Sequence, residues 1–258
     1  MHPPEVKAEA LELIAAGLND CEVSRRLGVP RRTIMDWRRP TYAPRNGRPR
    51  ERECCPRCWR DAKEMSFTPA DYAELLATYL GDGVLSATAR TCRLRIALDA
   101  KYPRLIEEVR ELIGRCLPEN RVDIVQRKGC VNVSVYSCHL PCLFPQHGPG
   151  KKHERPIVLE PWQRNLVAAA PWAFIRGCIR TDGCAFINRT DIHRAEPYEY
   201  LSYEFSNMSK DIVDLFLEAC DRVGVFTRAN CNPRGRWSVR INRRDSVAAM
   251  LEHVGLKT

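Results

Sequence analysis

FIRGCIRTDG, residues 174–183, runs an apolar, helix-like stretch into an arginine and stops on Asp-Gly, and LLATYLGDG, residues 75–83, stops the same way. Asp82 and Asp182 stand 100 residues apart. The segments downstream of the two pairs also repeat. After Gly83 come a strand-like RLRIAL, an amphipathic PRLIEEVRELIGRCL, and the alternating runs VDIVQR and CVNVSVYS. After Gly183 come YLSYEFS, SKDIVDLFLEACDRVG, VFTRANC, RWSVRINR and a last helical stretch, DSVAAMLEHVG. Both halves read αββαββ by their periodicities, with a closing α in the second. A duplicated unit of this kind predicts internal pseudo-twofold symmetry.

Two helices meeting at such an axis need small residues where their backbones approach. Ala77 and Gly81 are four apart, as are Gly177 and Thr181, so each pair lies on one helix face. Leu75, Leu76, Tyr79, Ile175 and Ile179 are left to fill two half-cores. Gly83 and Gly183 are expected to end their helices in the left-handed conformation. Asp82 and Asp182 then sit together at two helix C-termini, repelling each other and the negative dipole ends. Only a cation makes that tolerable, and the expected one is Mg²⁺.

The paired segments resemble the motifs of the LAGLIDADG homing endonucleases, over residues 70–258 in spacing and element order. The resemblance implies a divalent-metal-dependent DNA endonuclease hydrolysing phosphodiester bonds, with Asp82 and Asp182 holding Mg²⁺ or Mn²⁺. It also implies a basic residue from each half, for which Lys128 and Arg243 are the candidates. The motif's earlier acid is replaced by Leu80 and Arg180. Arg176 and Arg180 are expected to salt-bridge to the sheet or to touch DNA. Some sporulation regulators resemble the same fold, carry a helix-turn-helix and do not cut DNA, which is the alternative reading. Splicing-assisting RNA maturases share the fold as well.

The strands alternate. Trp237, Val239 and Ile241 oppose Arg236, Ser238, Arg240 and Asn242. Val131, Val133 and Val135 oppose Asn132, Ser134 and Tyr136, and Leu94 and Ile96 oppose Arg93 and Arg95. A polar, arginine-rich sheet face suits the major groove, where Arg reads guanine and Asn reads adenine.

Ahead of the repeat, residues 4–39 read as three short helices: PEVKAEALELIAAG, DCEVSRRL with Asp20 as the expected N-cap, and RRTIMDWRR after the turn Gly28-Val29-Pro30. Val23, Leu27, Val29, Ile34 and Trp37 fall where a helix-turn-helix buries its apolar side chains, with Ser24 as the small residue at the helix approach. This resembles the helix-turn-helix of resolvases and homeodomain-like regulators. It places Arg31, Arg32, Thr33, Asp36 and Arg38 on the outward face of a recognition helix.

The formal net charge is +9, and it is unevenly spread: residues 23–60 hold twelve arginines against three acids. Such an excess predicts a polyanionic partner, here double-stranded DNA. Residues 40–53 read as a basic linker with an AT-hook-like GRPR. Cys55 and Cys58 have the spacing of half a structural zinc site, with Cys54, Cys138, His139 and Cys142 as further candidates. The segment 138–155 joins the halves, and its Lys151, Lys152 and Arg155 are candidate phosphate contacts.

The expected chain is therefore α+β. A helix-turn-helix spans 1–39, a basic linker with a Cys-rich knuckle 40–66, and LAGLIDADG-like repeats 67–145 and 146–258. With no apolar run of membrane-spanning length and no signal-peptide pattern, the reading is a cytoplasmic, nucleoid-associated monomer.

Overall fold

The computed structural model describes residues 3–38, 67–88, 91–190 and 198–257. Residues 39–66, with Cys55 and Cys58, lie outside the described residues. The chain divides into two compact units, Met1–Arg52 and Glu53–Thr258.

In the first unit, α1 (Pro4–Ala15), α2 (Asp20–Leu27) and α3 (Arg31–Arg38) enclose a small core of Ala10, Val23, Val29 and Ile34. Leu27 and Trp37 pack against it from the rim. The N-cap of α2 is Asn19, not Asp20. Its side chain accepts from the amides of Cys21 and Glu22, while the Glu22 carboxylate accepts from the Asn19 amide, a reciprocal capping box. Asp20 is displaced into the first turn, where it pairs with Arg38 at 3.0 Å. Gly28 takes the left-handed conformation (φ +62°) that the turn demands. The Ser24 hydroxyl donates to the Val29 carbonyl at 2.7 Å, tying α2 to the turn.

In the second unit, each half opens with a long helix: α4 (Pro69–Asp82) in the first and α8 (Pro171–Asp182) in the second. After α4 come β1 (Gly83–Ala87), β2 (Cys92–Asp99), α5 (Pro103–Cys116), β3 (Val122–Arg127) and β4 (Cys130–Ser137). After α8 come β5 (Gly183–Thr190), β6 (Tyr198–Asn207), α9 (Lys210–Arg222), β7 (Arg228–Cys231), β8 (Trp237–Ile241) and α10 (Arg244–His253). The sheets are antiparallel with matching orders, β1-β2-β4-β3 and β5-β6-β8-β7. The pseudo-twofold duplication is thus present strand for strand. The alternation holds: Leu94, Ile96, Val131, Val133, Val135, Val239 and Ile241 are all buried. They join Leu75, Leu76, Tyr79, Ile175 and Ile179 in one continuous core.

The stretch between the two halves is built on two helices: α6 (Leu140–Leu143), within residues 138–155, and α7 (Pro161–Ala169), beyond them, the latter ending at Ala170 just before Pro171 opens α8. Buried side chains fix it to α4. Tyr72 donates its hydroxyl to the Leu143 carbonyl at 2.7 Å, the Gln163 amide donates to the Tyr72 oxygen at 2.6 Å, and Gln146 bonds Gln163. No helix among the described residues is long and apolar enough to cross a membrane.

Candidate axial site and nucleic-acid interface

The helices α4 and α8 pack against each other through the small residues expected of them. A side chain on Gly177 would meet the Glu74 carbonyl at 2.6 Å and the Ala77 Cβ at 2.7 Å. One on Gly81 would run into Thr181. Two helices come this close only where backbone faces backbone.

Gly83 and Gly183 correct the expectation. Gly83 is extended (φ −86°, ψ 144°) and so is Gly183 (φ −113°, ψ 169°). Each helix passes directly into a strand, with no left-handed turn between. Glycine is needed for room instead. A Cβ at Gly83 would lie 2.6 Å from the Tyr79 Cα, and one at Gly183 the same distance from the Ile179 Cα.

Asp82 and Asp182 end these helices, half-buried. Burial raises both carboxyls; that of Asp82 reaches about 6, with the negative charge of Asp182 adding to the effect. Asp182 is held by the Asn207 side-chain amide at 2.8 Å. Two lysines that the sequence reading did not place at the axis face the pair. The Lys152 ammonium, from the joining segment, donates to the Tyr79 carbonyl at 2.6 Å and the Gly81 carbonyl at 2.9 Å. The Lys257 ammonium, from the chain end beyond α10, donates to the Thr181 carbonyl at 3.1 Å. Burial pulls Lys152 down to about 8, while Asp182 and Asp82 hold it up. No repeat spacing could have located these lysines, because they come from non-equivalent parts of the chain.

A cavity of about 550 Å³ opens beside the axis, lined by His147, Lys151, Lys152, Arg155, Asp182 and Arg236 among others. Arg155 is a clamp rather than an open phosphate contact: its guanidinium donates to the Gln146 carbonyl at 3.2 Å and the Gly150 carbonyl at 2.9 Å. Lys128 lies in the exposed β3–β4 turn beside Gly129. Arg243 precedes α10, pairs with Asp245 at 3.1 Å and stacks over Phe226. Neither lines the cavity.

Arg176 and Arg180 are half-buried and pair with neither sheet. Both bind the buried carboxylate of Glu74 across the axis, at 3.1 and 2.7 Å, and Arg180 also binds Glu108 at 2.8 Å.

Comparison with solved structures settles the architecture. The homing endonuclease I-DmoI, in structures of its mesophilic variants, superposes with a TM-score of 0.50 at 16% identity, over 72% of this chain and 96% of that one. The chain has the LAGLIDADG fold. Similarity also extends to the N-terminal LAGLIDADG domain of WhiA (TM-score 0.46, 14% identity, 74% of this chain, 83% of that one). The LAGLIDADG meganuclease I-AabMI bound to uncleaved DNA is a further one (0.47, 11%, 72% and 84%). Residues 2–39 match a homeodomain-like domain. No curated protein matches the sequence.

On this LAGLIDADG frame the outer faces of the sheets carry the polar residues expected there. On the first, Arg95 and Tyr136 are exposed, and Arg93 spans Tyr136 and donates to the Ser134 hydroxyl at 3.0 Å. Ser134 is thereby buried under Arg93 rather than presented. Asn132 is half-buried in the row beyond. On the second, Arg236 is exposed and donates to Ser206 at 2.9 Å. Arg240 pairs with Glu204 at 2.8 Å, an acid that the sequence reading did not put on this face. Ser238 and Asn242 are half-buried. In the helix-turn-helix, Arg31 and Arg32 are exposed, Thr33 is half-buried and Arg38 is engaged with Asp20. Asp36 lies on α3, but its side chain is outside the described ones. Met35, an unforeseen apolar residue, is exposed on the same helix.

A divalent ion between the LAGLIDADG helices would draw on the two carboxylates and on neighbouring carbonyls, oxygen donors of the right kind. The carbonyls of Tyr79, Gly81 and Thr181 are already given to ammonium groups. Among the described residues, no three of His, Cys, Asp or Glu come together where they could hold a metal. As they stand, the axial residues do not fit a divalent ion. The cations beside the carboxylates in this structure are Lys152 and Lys257, whose charges offset part of the rise that burial imposes on Asp82 and Asp182.

Proposed function

We propose that this chain is a sequence-specific double-stranded DNA-binding protein that acts as a monomer, reading duplex with both LAGLIDADG sheets and with the helix-turn-helix, and that it binds without cutting. One observation carries the DNA-binding reading, and the absence of cutting rests on the axis, where carbonyls beside the carboxylates are given to lysines. Both four-stranded sheets bury an apolar face and turn outward a face set with Arg93, Arg95, Tyr136, Arg236 and Arg240. Contacts to Tyr136, Ser206 and Glu204 hold three of these guanidinium groups in place. A positioned guanidinium reads guanine in the major groove through two parallel hydrogen bonds. Arg31 and Arg32 on α3 serve the same purpose in the first unit. The arginine-rich stretch 23–60 adds phosphate contacts, and two tethered readers on one duplex raise each other's effective concentration.

Salt dependence tests this division of labour. Removing residues 1–60 is expected to weaken binding to a selected duplex at least about tenfold and to reduce the slope of log K against log salt by about 2 or more. An unchanged slope would mean that the basic stretch touches no phosphate.

A second reading, a homing-type endonuclease using Mg²⁺ or Mn²⁺ with Lys128 and Arg243 as its basic groups, is favoured by one observation. Both axial carboxylates are present, at a cost in stability that a pure binder does not require.

A further inference from the structure

We infer that Lys152 and Lys257 are the resident cations of the axial site, filling the place of a divalent metal with the chain's own ammonium groups. Gly81 and Thr181 are equivalent in the two repeats, each directly preceding the axial aspartate. Each gives its carbonyl to a lysine. The lysines themselves are not equivalent. One follows the turn at Gly150 in the segment between the halves, and the other lies past the last helix. Duplication therefore explains the carbonyls and not the ammonium groups, which reach matching positions by separate routes.

Each lysine is also supported. Lys152 lies over the Tyr79 ring at 5.1 Å and Lys257 over the Tyr102 ring at 5.2 Å, two cation–π contacts. The loop that delivers Lys152 is closed by Arg155 on the Gln146 and Gly150 carbonyls. Lys151, the preceding residue, lines the cavity but is largely exposed and pairs with Glu154 at 3.5 Å. The axis thus holds two carboxylates and two ammonium groups, with Arg155 and Arg236 nearby. An ammonium satisfies carbonyl oxygens with three donors and needs no octahedral shell, so it suits a site with few protein oxygens. A consequence is that duplex binding needs no divalent ion. The inference concerns the axis alone and stands whether or not the sheets bind DNA.

The test is a Mn²⁺ titration of the full chain without DNA, following free Mn²⁺ by electron paramagnetic resonance. Wild type is expected to show no stoichiometric site. The double variant Lys152→Met, Lys257→Met keeps the aliphatic stems and removes both charges. It is expected to bind Mn²⁺ at least about tenfold more tightly than wild type, and to lose that gain when Asp182→Asn is added. A stoichiometric wild-type site whose affinity the methionines leave unchanged would overturn the inference, as would a folded double variant that gains no Mn²⁺ binding. If the double variant does not fold, Lys257→Met alone is expected to show a smaller gain, and no gain in that folded single variant counts against the inference equally.

Discussion

Gly177→Ala should destabilise the second unit by about 3 kcal/mol, read as a shift in the urea midpoint. Helix propensity alone predicts the opposite sign, since alanine in a helix interior is favoured over glycine by about 1 kcal/mol. The difference lies in what the new methyl meets. The Glu74 carbonyl at 2.6 Å is backbone, and the Ala77 Cβ at 2.7 Å is fixed to backbone. Neither can swing away, so α4 and α8 must separate along a contact that carries the core of both halves. Gly114 in α5 is the control: nothing lies within 4 Å of its missing Cβ. Gly114→Ala should therefore be neutral or stabilising by up to about 1 kcal/mol. Equal behaviour of the two variants would refute the close axial packing.

The second large effect runs in the stabilising direction. The Asp82 carboxyl is raised from 3.8 to about 6 in the folded chain, by burial first and then by the charge of Asp182. Between those two values the folded state keeps a proton that the unfolded state has released. Stability therefore falls as pH rises through this window, and the full cost is present above about pH 6. Asp82→Asn removes the ionisable group. It also weakens the neighbourhood of Lys152, which offsets part of the gain. The expected net stabilisation is about 2 kcal/mol at pH 7.5, fading to nothing by about pH 4. Denaturant curves at the two pH values check it. A destabilised Asn variant at pH 7.5 would show that the carboxylate contributes more as a partner of the lysines than it costs by its burial.

Much of this fold was legible because it is written in spacings. Small residues four apart, the recurrence of Asp-Gly and the period-two strands are local patterns, and they dictate the packing of α4 on α8 and the alternating faces of β2, β4 and β8. Conformation at the helix ends was not legible. A glycine can supply a left-handed angle or an absent Cβ, and sequence does not distinguish the two uses; at Gly83 and Gly183 the second applies. The cap of α2 lies one residue before Asp20 because Asn19 and Asp20 are both good caps, and only the reciprocal bond to Glu22, three residues on from Asn19, selects the former. Arg176 and Arg180 read as contacts to the sheet or to DNA because their partner, Glu74, lies a hundred residues away on the opposite helix. The lysines of the axis were hidden for a related reason. Lys152 stands beside Lys151 in a loop, and which of the two turns inward depends on a turn at Gly150 and on the carbonyls that Arg155 secures.

Selection from a random duplex pool by the full chain in EDTA, followed by incubation of the enriched duplex with Mg²⁺ or Mn²⁺, tests the central claim most directly. The expected result is a single enriched sequence, bound equally well with and without divalent ion and left uncut on both strands. Failure to enrich any sequence would contradict DNA reading by the two sheets, and double-strand breaks appearing with either metal would contradict a binder that does not cut.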